Sequence, residues 1–492
     1  MPSVRPRRVL FRVDASASIG TGHVVRCLAL AAELGSRGVE ASFASRGAAG
    51  DLADQIEGGF PVVHLDSPES DERAIISGHM PRDARRPLDA VILDHYGLGA
   101  EWLDAAQHLA ARRIVIDDLA DRDLPCELLI NPNIGVEPHD YVTLVPRATR
   151  LLLGTRFALL RSPFRAARDR GRSPAGAVKT VLVTMGGSDT LNATSTAIRA
   201  VQESVPTARI EVVLGALYHG APIDGPGIHV HRAIGDEAMA KLMMTADVAI
   251  GAGGTTSWER CALGLPSVVL RLARNQDHIA GRLDAAGVAL DGGRAEELDV
   301  GALSRLIRQL ADDIPRRQAM SDRARNLVDG RGVERVAHHV DGVRIRAATL
   351  ADARLLWHWA NDPDTRSASF HPEPIKYQDH LAWLQGRLAD RSCLLLIGWN
   401  GAGPLGQVRF DIREADAEVS ISVAPEHRGT VGLLLLEGAM RRFRRSSPGI
   451  GLIAQVKRDN EASRRLFERA GYRLAGERHG VLRYHASATT HA

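Results

Sequence analysis

Three times in the chain, an apolar run of strand length leads directly into a turn of glycine and small polar residues, and then into a helical stretch. Val9–Val13 is followed by Asp14-Ala15-Ser16-Ala17-Ser18-Ile19-Gly20-Thr21-Gly22-His23. Thr180–Thr184 precedes Met185-Gly186-Gly187-Ser188-Asp189, and Ala246–Ile250 precedes Gly251-Ala252-Gly253-Gly254-Thr255-Thr256-Ser257-Trp258-Glu259. A strand that feeds a helix in this way returns to a parallel neighbour, so the pattern demands βαβ units with helices on the sheet faces. Further β-rich runs at Ala41–Ala44, Val62–His64, Ala90–Leu93 and Arg113–Ile116 continue the rhythm. So do those at Ile210–Leu214, Ile228–His231 and Ser267–Leu270. A Pro- and Arg-rich stretch from Arg161 to Ala177 interrupts it, with Ser173-Pro174-Ala175-Gly176 reading as a linker. The expectation is two doubly wound, Rossmann-like lobes, 1–172 and 173–341, with a ligand cleft between them.

The texture changes near Val343. A short strand and a Trp-rich helix come first, then runs at Cys393–Trp399, Gly406–Ile412 and Glu418–Val423, the helix Leu433–Arg444, strand Gly451–Val456, helix Glu461–Ala470 and a last strand Tyr472–Ala475. This order predicts an α+β domain with an antiparallel sheet over 342–492. The expected fold class is therefore α/β, two Rossmann-like lobes followed by an α+β domain.

Composition narrows the function classes. With 492 residues and 45% apolar content there is material for about three cores. Lysine plus arginine against aspartate plus glutamate gives 62 − 59 = +3, and the basic charge is nearly all arginine scattered among acids. A nucleic-acid binder concentrates its basic charge on one face, so no nucleic-acid partner is expected. No apolar run reaches the roughly 20 residues of a membrane span. Met1–Arg8 is basic, but the apolar run behind it is too short for a signal peptide, so a cytoplasmic location is expected. Cys27, Cys126, Cys261 and Cys393 stand far apart without a CxxC pair, which fits reduced thiols and no metal site.

The turns carry the chemistry. Gly20 and Gly22 let the backbone bend sharply, and the helix beyond them presents N–H groups and positive potential to an anion. His23, in the first helical turn, can face the cleft as a neutral proton acceptor. In the second lobe, the turns holding Gly187 and Ser188, and Gly253, Gly254 and Thr255, can converge on a pyrophosphate. Glu259 can accept hydrogen bonds from ribose hydroxyls, and Asn275 and Gln276 can bind sugar hydroxyls or acetamido groups. No GxGxxG with a downstream acid is present, so a dinucleotide is not expected.

The run Asp14-x-Ser16-x-x-Ile19-Gly20-x-Gly22-His23-x-x-Arg26-Cys27 resembles the opening of the UDP-2,4-diacetamido-2,4,6-trideoxy-β-L-altropyranose hydrolases of pseudaminic acid synthesis and the related spore-coat polysaccharide proteins. Leu93-Asp94-His95-Tyr96-Gly97, Ile116-Asp117-Asp118-Leu119-Ala120-Asp121-Arg122, Asn131-Pro132-Asn133 and Gly154-Thr155-Arg156-Phe157 continue that resemblance in order. It implies His23 as catalytic base, with Asp14 and Tyr96 beside it, and Arg26, His95 and Arg156 near the substrate, a UDP-linked amino or acetamido sugar. The second lobe looks like the UDP-binding lobe of GT-B glycosyltransferases. A UDP-sugar glycosyltransferase and a non-catalytic sugar-nucleotide-binding module are the alternative readings. The first needs an acceptor patch near His23, which the sequence does not display; intact His23 and both phosphate turns speak against the second.

Val423-Ala424-Pro425-Glu426-His427-Arg428-Gly429-Thr430-Val431-Gly432, with Arg458-Asp459-Asn460 downstream, resembles the GNAT acetyltransferases. The resemblance implies acetyl-CoA as co-substrate, bound by Val423, Arg428, Gly429, Thr430, Gly432 and Asn460, and 4-N-acetylation of the amino sugar that the hydrolase then consumes. Two departures stand out. Val431 and Leu433 occupy positions where the family's R-x-x-G-x-G/A turn has small residues, and Phe467 stands where many members carry a proton-donating tyrosine. Tyr472 or a water is the substitute donor.

Overall fold

The computed structural model describes residues 7–14, 22–46, 56, 58–65, 72, 75–76, 88–172, 176–187, 189, 191–215 and 218–487, apart from the Asn275 side chain. The chain divides into two compact units, the first of residues 1–35 and 39–336, the second of 36–38 and 337–492.

The first unit holds two parallel sheets. One comprises β1 (Arg8–Val13), β2 (Glu40–Ser45), β3 (Val62–His64), β4 (Ala90–Asp94), β5 (Arg113–Ile116), β6 (Leu128–Asn131) and β7 (Arg150–Leu153), in the order β3-β2-β1-β4-β5-β6-β7. The other comprises β8 (Thr180–Thr184), β9 (Arg209–Leu214), β10 (Ile228–Arg232), β11 (Val248–Ala252), β12 (Ser267–Arg271) and β13 (Leu290–Arg294), in the order β10-β9-β8-β11-β12-β13. Both are doubly wound, as the strand–turn–helix rhythm requires. Their central strands are buried along their length, β4 and β8 without exception, because helices cover both faces. In each sheet the winding direction reverses once, between β1 and β4 and between β8 and β11. The crevice beyond the carboxyl ends of those strands is where ligands bind in such folds.

The second unit carries a seven-stranded mixed sheet: β14 (Arg344–Ala347), β15 (Cys393–Asn400), β16 (Gly403–Arg413), β17 (Asp416–Val423), β18 (Gly451–Lys457), β19 (Arg473–Arg478) and β20 (Val481–Ala486), ordered β14-β15-β16-β17-β18-β20-β19. All neighbours run antiparallel except β17 and β18. The helix Gly432–Ser446 packs Leu435, Leu436, Ala439 and Phe443 into this sheet's core, with Phe443 stacked on Phe410 at 4.4 Å.

The sequence reading missed several elements. β6, β7 and β13 are only 4–5 residues long, and β20 lies beyond the strand expected to be last. The Arg161–Ala177 stretch is not a break throughout: Ser162–Asp169 is a helix with Pro163 near its start and Phe164 and Ala167 buried. Proline at that position begins a helix rather than ending one. Residues 173–175 of the expected linker lie outside the described residues. Among the described residues no helix is long and apolar enough to cross a membrane, and no group of three or more His, Cys, Asp or Glu has metal-ligand proximity.

Candidate active site

The helix Gly22–Ser36 follows β1 at the first winding reversal and carries His23, Arg26 and Cys27 on its buried side. β4 ends beside it on Asp94, the one acid in an otherwise apolar strand. His23 Nδ1 lies 2.5 Å from Asp94 Oδ1, and both side chains are almost wholly buried. Arg26 donates to both oxygens of the same carboxylate, from Nε and Nη2, each at 2.6 Å. Burial pushes the Asp94 carboxyl up, but the Arg26 guanidinium and the His23 ring outweigh it and hold it well below the ordinary carboxylate range. An ionised Asp94 only accepts hydrogen bonds, so His23 donates from Nδ1 and keeps its lone pair on Nε2. That is the tautomer a general base needs.

Arg26 also donates from Nη1 to Asp118 at 2.9 Å. Asp118 accepts in addition from Tyr96 Oη at 3.1 Å and Asn133 Nδ2 at 3.0 Å. Tyr96 thereby meets the His23 ring edge-on, with centroids 4.4 Å apart. Asp14 takes a different place from the one expected of a catalytic partner. It accepts from Arg12 Nη1 at 2.5 Å and Arg46 N at 2.7 Å, with His95 Nε2 at 3.1 Å, and makes no bond to His23. His95 accepts the Gly97 N–H on Nδ1, so its Nε2–H points at Asp14. Burial raises Asp14, but the bonds from His95 and Arg12 prevail and hold it at about 2. Gly20 lies outside the described residues.

The second lobe's winding reversal brings together the turns after β8 and β11. They differ in one respect that matters. The helix Ala193–Ser204 already has an anion at its start: Asp189 accepts the amides of Ala193 and Thr194 at 2.9 and 2.8 Å. The helix Thr256–Leu263 has no such partner; Thr255 at its N-cap makes no side-chain capping bond. Its Ser257 and Trp258 amides close back on Gly254 O at 2.9 Å and Thr255 O at 3.0 Å, which leaves the turn at Gly254–Thr256 as the better anion site. Gly187 is half-buried in the first turn, and Ser188 lies outside the described residues. Gly253 N–H donates to Leu270 O at 2.9 Å and approaches Gln276 Oε1 at 3.2 Å, while Gln276 Oε1 also accepts from Leu272 N at 3.0 Å. The Gln276 oxygen is therefore occupied, and its Nε2 lies 4.0 Å from where a Gly254 Cβ would stand.

Glu259 is buried, and its carboxylate accepts from Arg161 Nη2 at 2.6 Å. Burial raises its carboxyl despite that pairing. A ribose in this position would share or displace Arg161. Arg156 sits on the single helical turn Thr155–Phe157 that leaves the first sheet, with its guanidinium over the Phe157 ring at 5.1 Å. The two lobes meet at the site itself: a Cβ on Gly22 would lie 3.3 Å from Thr255 Oγ1 and 3.6 Å from its Cγ2. A larger residue there would press on the Thr255 side chain, so glycine lets the start of the His23 helix lie close to the anion-binding turn.

In the second unit, β17 and β18 pair only at Asp416–Glu418 with Gly451–Ile453. Beyond Glu418 and Ile453 they have no mutual register, so the two strands part toward their carboxyl ends. Backbone groups on the parted edges are then open to an inserted ligand. Val423 ends β17, and Gly429, with φ +75°, turns the chain into the helix that begins at Gly432. Thr430 Oγ1 donates to His427 O at 2.7 Å. Val431 is fully buried at the helix start. Arg428 is tied to carboxylates: it donates to Asp364 at 2.8 Å, to Asp362, and to Thr365 Oγ1 at 2.8 Å. Asn460 caps the helix Glu461–Arg469, its oxygen accepting Ser463 N at 3.0 Å. Phe467 and Tyr472 are both 3% exposed, ring against ring at 5.0 Å. The Tyr472 hydroxyl has no hydrogen-bond partner, and burial pushes its phenol well up.

The sequence reading did not assign roles to Asp94, Asp118, Asn133 or Arg161. Asp94 carried a usable signal, a lone acid closing a buried parallel strand.

Parts of the chain resemble known proteins. Residues 343–473 match the acetyltransferase (GNAT) domain family. Over 185 residues, 38% of this chain, the sequence is 30% identical to the UDP-2,4-diacetamido-2,4,6-trideoxy-beta-L-altropyranose hydrolase of Campylobacter jejuni, and the match spans 62% of that relative's length. The spore coat polysaccharide biosynthesis protein SpsG of Bacillus subtilis is 26% identical over 336 residues, 66% of this chain and 94% of its own. Among solved structures, spermidine N-acetyltransferase from Vibrio cholerae in complex with CoA and spermine is 20% identical, covers 30% of this chain and 95% of its own, with a TM-score of 0.27. The N-terminal region thus resembles sugar-nucleotide hydrolases, and the C-terminal region is a GNAT acetyltransferase domain.

Proposed function

We propose that the first unit hydrolyses a UDP-linked 2,4-diacetamido sugar, of the β-L-altropyranose type or a close analogue, to UDP and free sugar. The observation that carries this reading is the contact between Gly22 and Thr255, which sets the His23 helix against an uncapped helix N-terminus. UDP bound at that N-terminus has its diphosphate stabilised by amides, and its anomeric carbon faces the first lobe. His23 Nε2 takes a proton from water; the water oxygen bonds to the anomeric carbon as the carbon–oxygen bond to UDP breaks. UDP leaves with the electron pair from the opposite face, so the configuration inverts. Asp94, kept ionised by Arg26, holds His23 in the accepting tautomer and stabilises the imidazolium that forms. Tyr96, held by Asp118, forms the wall beside the ring.

For the second unit the proposed reaction is N-acetylation of the preceding UDP-4-amino sugar by acetyl-CoA inserted between β17 and β18. With both reactions in one chain, the acetylated UDP-sugar meets the hydrolase site at raised local concentration. UDP-sugars and acetyl-CoA as substrates fit a cytoplasmic enzyme of pseudaminic-acid-type sugar synthesis. Phe467 has no proton to give and the Tyr472 hydroxyl is buried, which leaves a water to protonate the departing thiolate.

The test is incubation of the full-length protein with the UDP-4-amino sugar, with and without acetyl-CoA, following UDP, CoA and sugar. UDP release that requires acetyl-CoA is the expected result. Release from pre-acetylated substrate alone retains the hydrolase and overturns the transferase. Sugar transfer to an added acceptor overturns hydrolysis as the first unit's reaction.

A further inference from the structure

Arg260 lies one turn inside the helix Thr256–Leu263 and is 1% exposed. Its Nη2 donates to Ala252 O at 2.8 Å and to Ser257 Oγ at 3.0 Å, which ties both ends of the Gly253–Thr256 turn together. Its Nε and Nη1 have no hydrogen-bond partner. Among the described residues no carboxylate is within ion-pair distance of it; the adjacent Glu259 is engaged by Arg161 instead. Gly251 makes room for the guanidinium, since a Cβ there would lie 2.5 Å from Arg260 Nη1 and 2.7 Å from Thr184 O. The group therefore sits between the ends of β8 and β11, at the winding reversal of the nucleotide lobe. Burial lowers its pKa to about 10, still far above neutrality, so it remains a cation.

A buried, unpaired guanidinium is strongly unfavourable unless a negative charge arrives to balance it. The helix above it has no side-chain cap, whereas its neighbour at Ala193–Ser204 is closed by Asp189. We propose that Arg260 is the internal counter-charge of a diphosphate site: it holds the Ala252–Ser257 loop in shape and lends its charge to the diphosphate of UDP at the start of helix Thr256–Leu263. This rests on the nucleotide reading of the second lobe. Arg260 acts as a positioning residue, through the loop and its field, without touching the ligand.

The experiment compares UDP with uridine by calorimetry on the full-length protein, in wild type, R260Q and R260K. R260Q keeps amide donors and loses the charge; R260K keeps the charge and loses the planar fork. R260Q is expected to bind UDP at least about tenfold more weakly, and uridine within about threefold of wild type, because an unscreened buried charge acts on the diphosphate alone. R260K is expected to keep the UDP-over-uridine preference to within about threefold. Without nucleotide, R260Q should melt no lower than wild type, since an uncompensated charge has been removed. R260Q with full UDP preference, or UDP and uridine weakened equally, overturns the counter-charge role. If R260Q does not fold, R260K decides alone: preference kept supports the role, preference lost overturns it. Wild-type protein that fails to bind UDP overturns the nucleotide site itself, a separate outcome from UDP binding that is indifferent to Arg260.

Discussion

Asp94→Asn is the sharpest single perturbation of the site. The wild-type carboxylate accepts from Arg26 twice at 2.6 Å, from His23 Nδ1 at 2.5 Å and from Cys27 Sγ at 3.4 Å. An asparagine offers one acceptor oxygen and one donor amide in the same volume. Arg26 can only donate, so the oxygen turns to Arg26 and the amide to His23. The ring must then accept on Nδ1 and carry its proton on Nε2, which is the wrong tautomer for taking a proton from water. The equivalent inversion in Ser-His-Asp triads lowers kcat by about 10⁴, and general-base help itself is typically about 10²–10⁴, so UDP release should fall by 10² to 10⁴, roughly. UDP affinity should stay within about threefold, because the anion site belongs to the other lobe. Stability should fall as well. Arg26 would be left nearly buried with Asp118 as its sole carboxylate, a loss of about 3 kcal/mol, or roughly 4 °C in Tm for a unit of this size. Steady-state UDP release, calorimetry and thermal melting measure the three quantities on one preparation. Normal turnover in D94N, with or without a lowered Tm, would refute the dyad and leave Asp94 as a structural anchor for Arg26.

Three further outcomes are expected. His23→Ala should lose at least about two orders of magnitude in UDP release while still binding UDP, checked by turnover and calorimetry. Tyr472→Phe should acetylate within about twofold of wild type and melt at the same temperature or higher, because it removes a buried hydroxyl that has no partner; a large loss of acetyl transfer would restore the tyrosine as proton donor. Asp14, held at about 2 against an ordinary value near 3.8, adds stability that is fully present above about pH 4 and disappears as pH falls toward 2. Acid titration of Asp14→Asn should therefore show a shallower loss over that window, by on the order of 1–2 kcal/mol.

Periodicity and turn chemistry were enough to read much of this protein from the chain. Apolar runs of strand length that end in glycine-bearing turns leave a parallel doubly wound sheet as the solution, since backbone groups must pair and helices must cover both faces. The same reading placed His23 in a first helical turn and singled out the turns at 185–189 and 251–259. The change of texture at Val343 marked the acetyltransferase domain. β6 and β7 escaped although β3 and β5, which are no longer, were read: at three or four residues periodicity does not separate a strand from a loop.

Tertiary structure decided which groups act together. Asp94 is 71 residues from His23, and only the adjacency of β1 and β4 brings it to the ring in place of Asp14. Gly22 meets Thr255 only because two separately wound lobes close on each other. The two phosphate-like turns read alike as sequence; three-dimensional packing gave one of them its own carboxylate and left the other with an uncapped helix over an unpaired guanidinium. The physical reason is range. Backbone preference and hydrophobic period act over a few residues, whereas ion pairing and desolvation depend on distances that the folded chain alone sets.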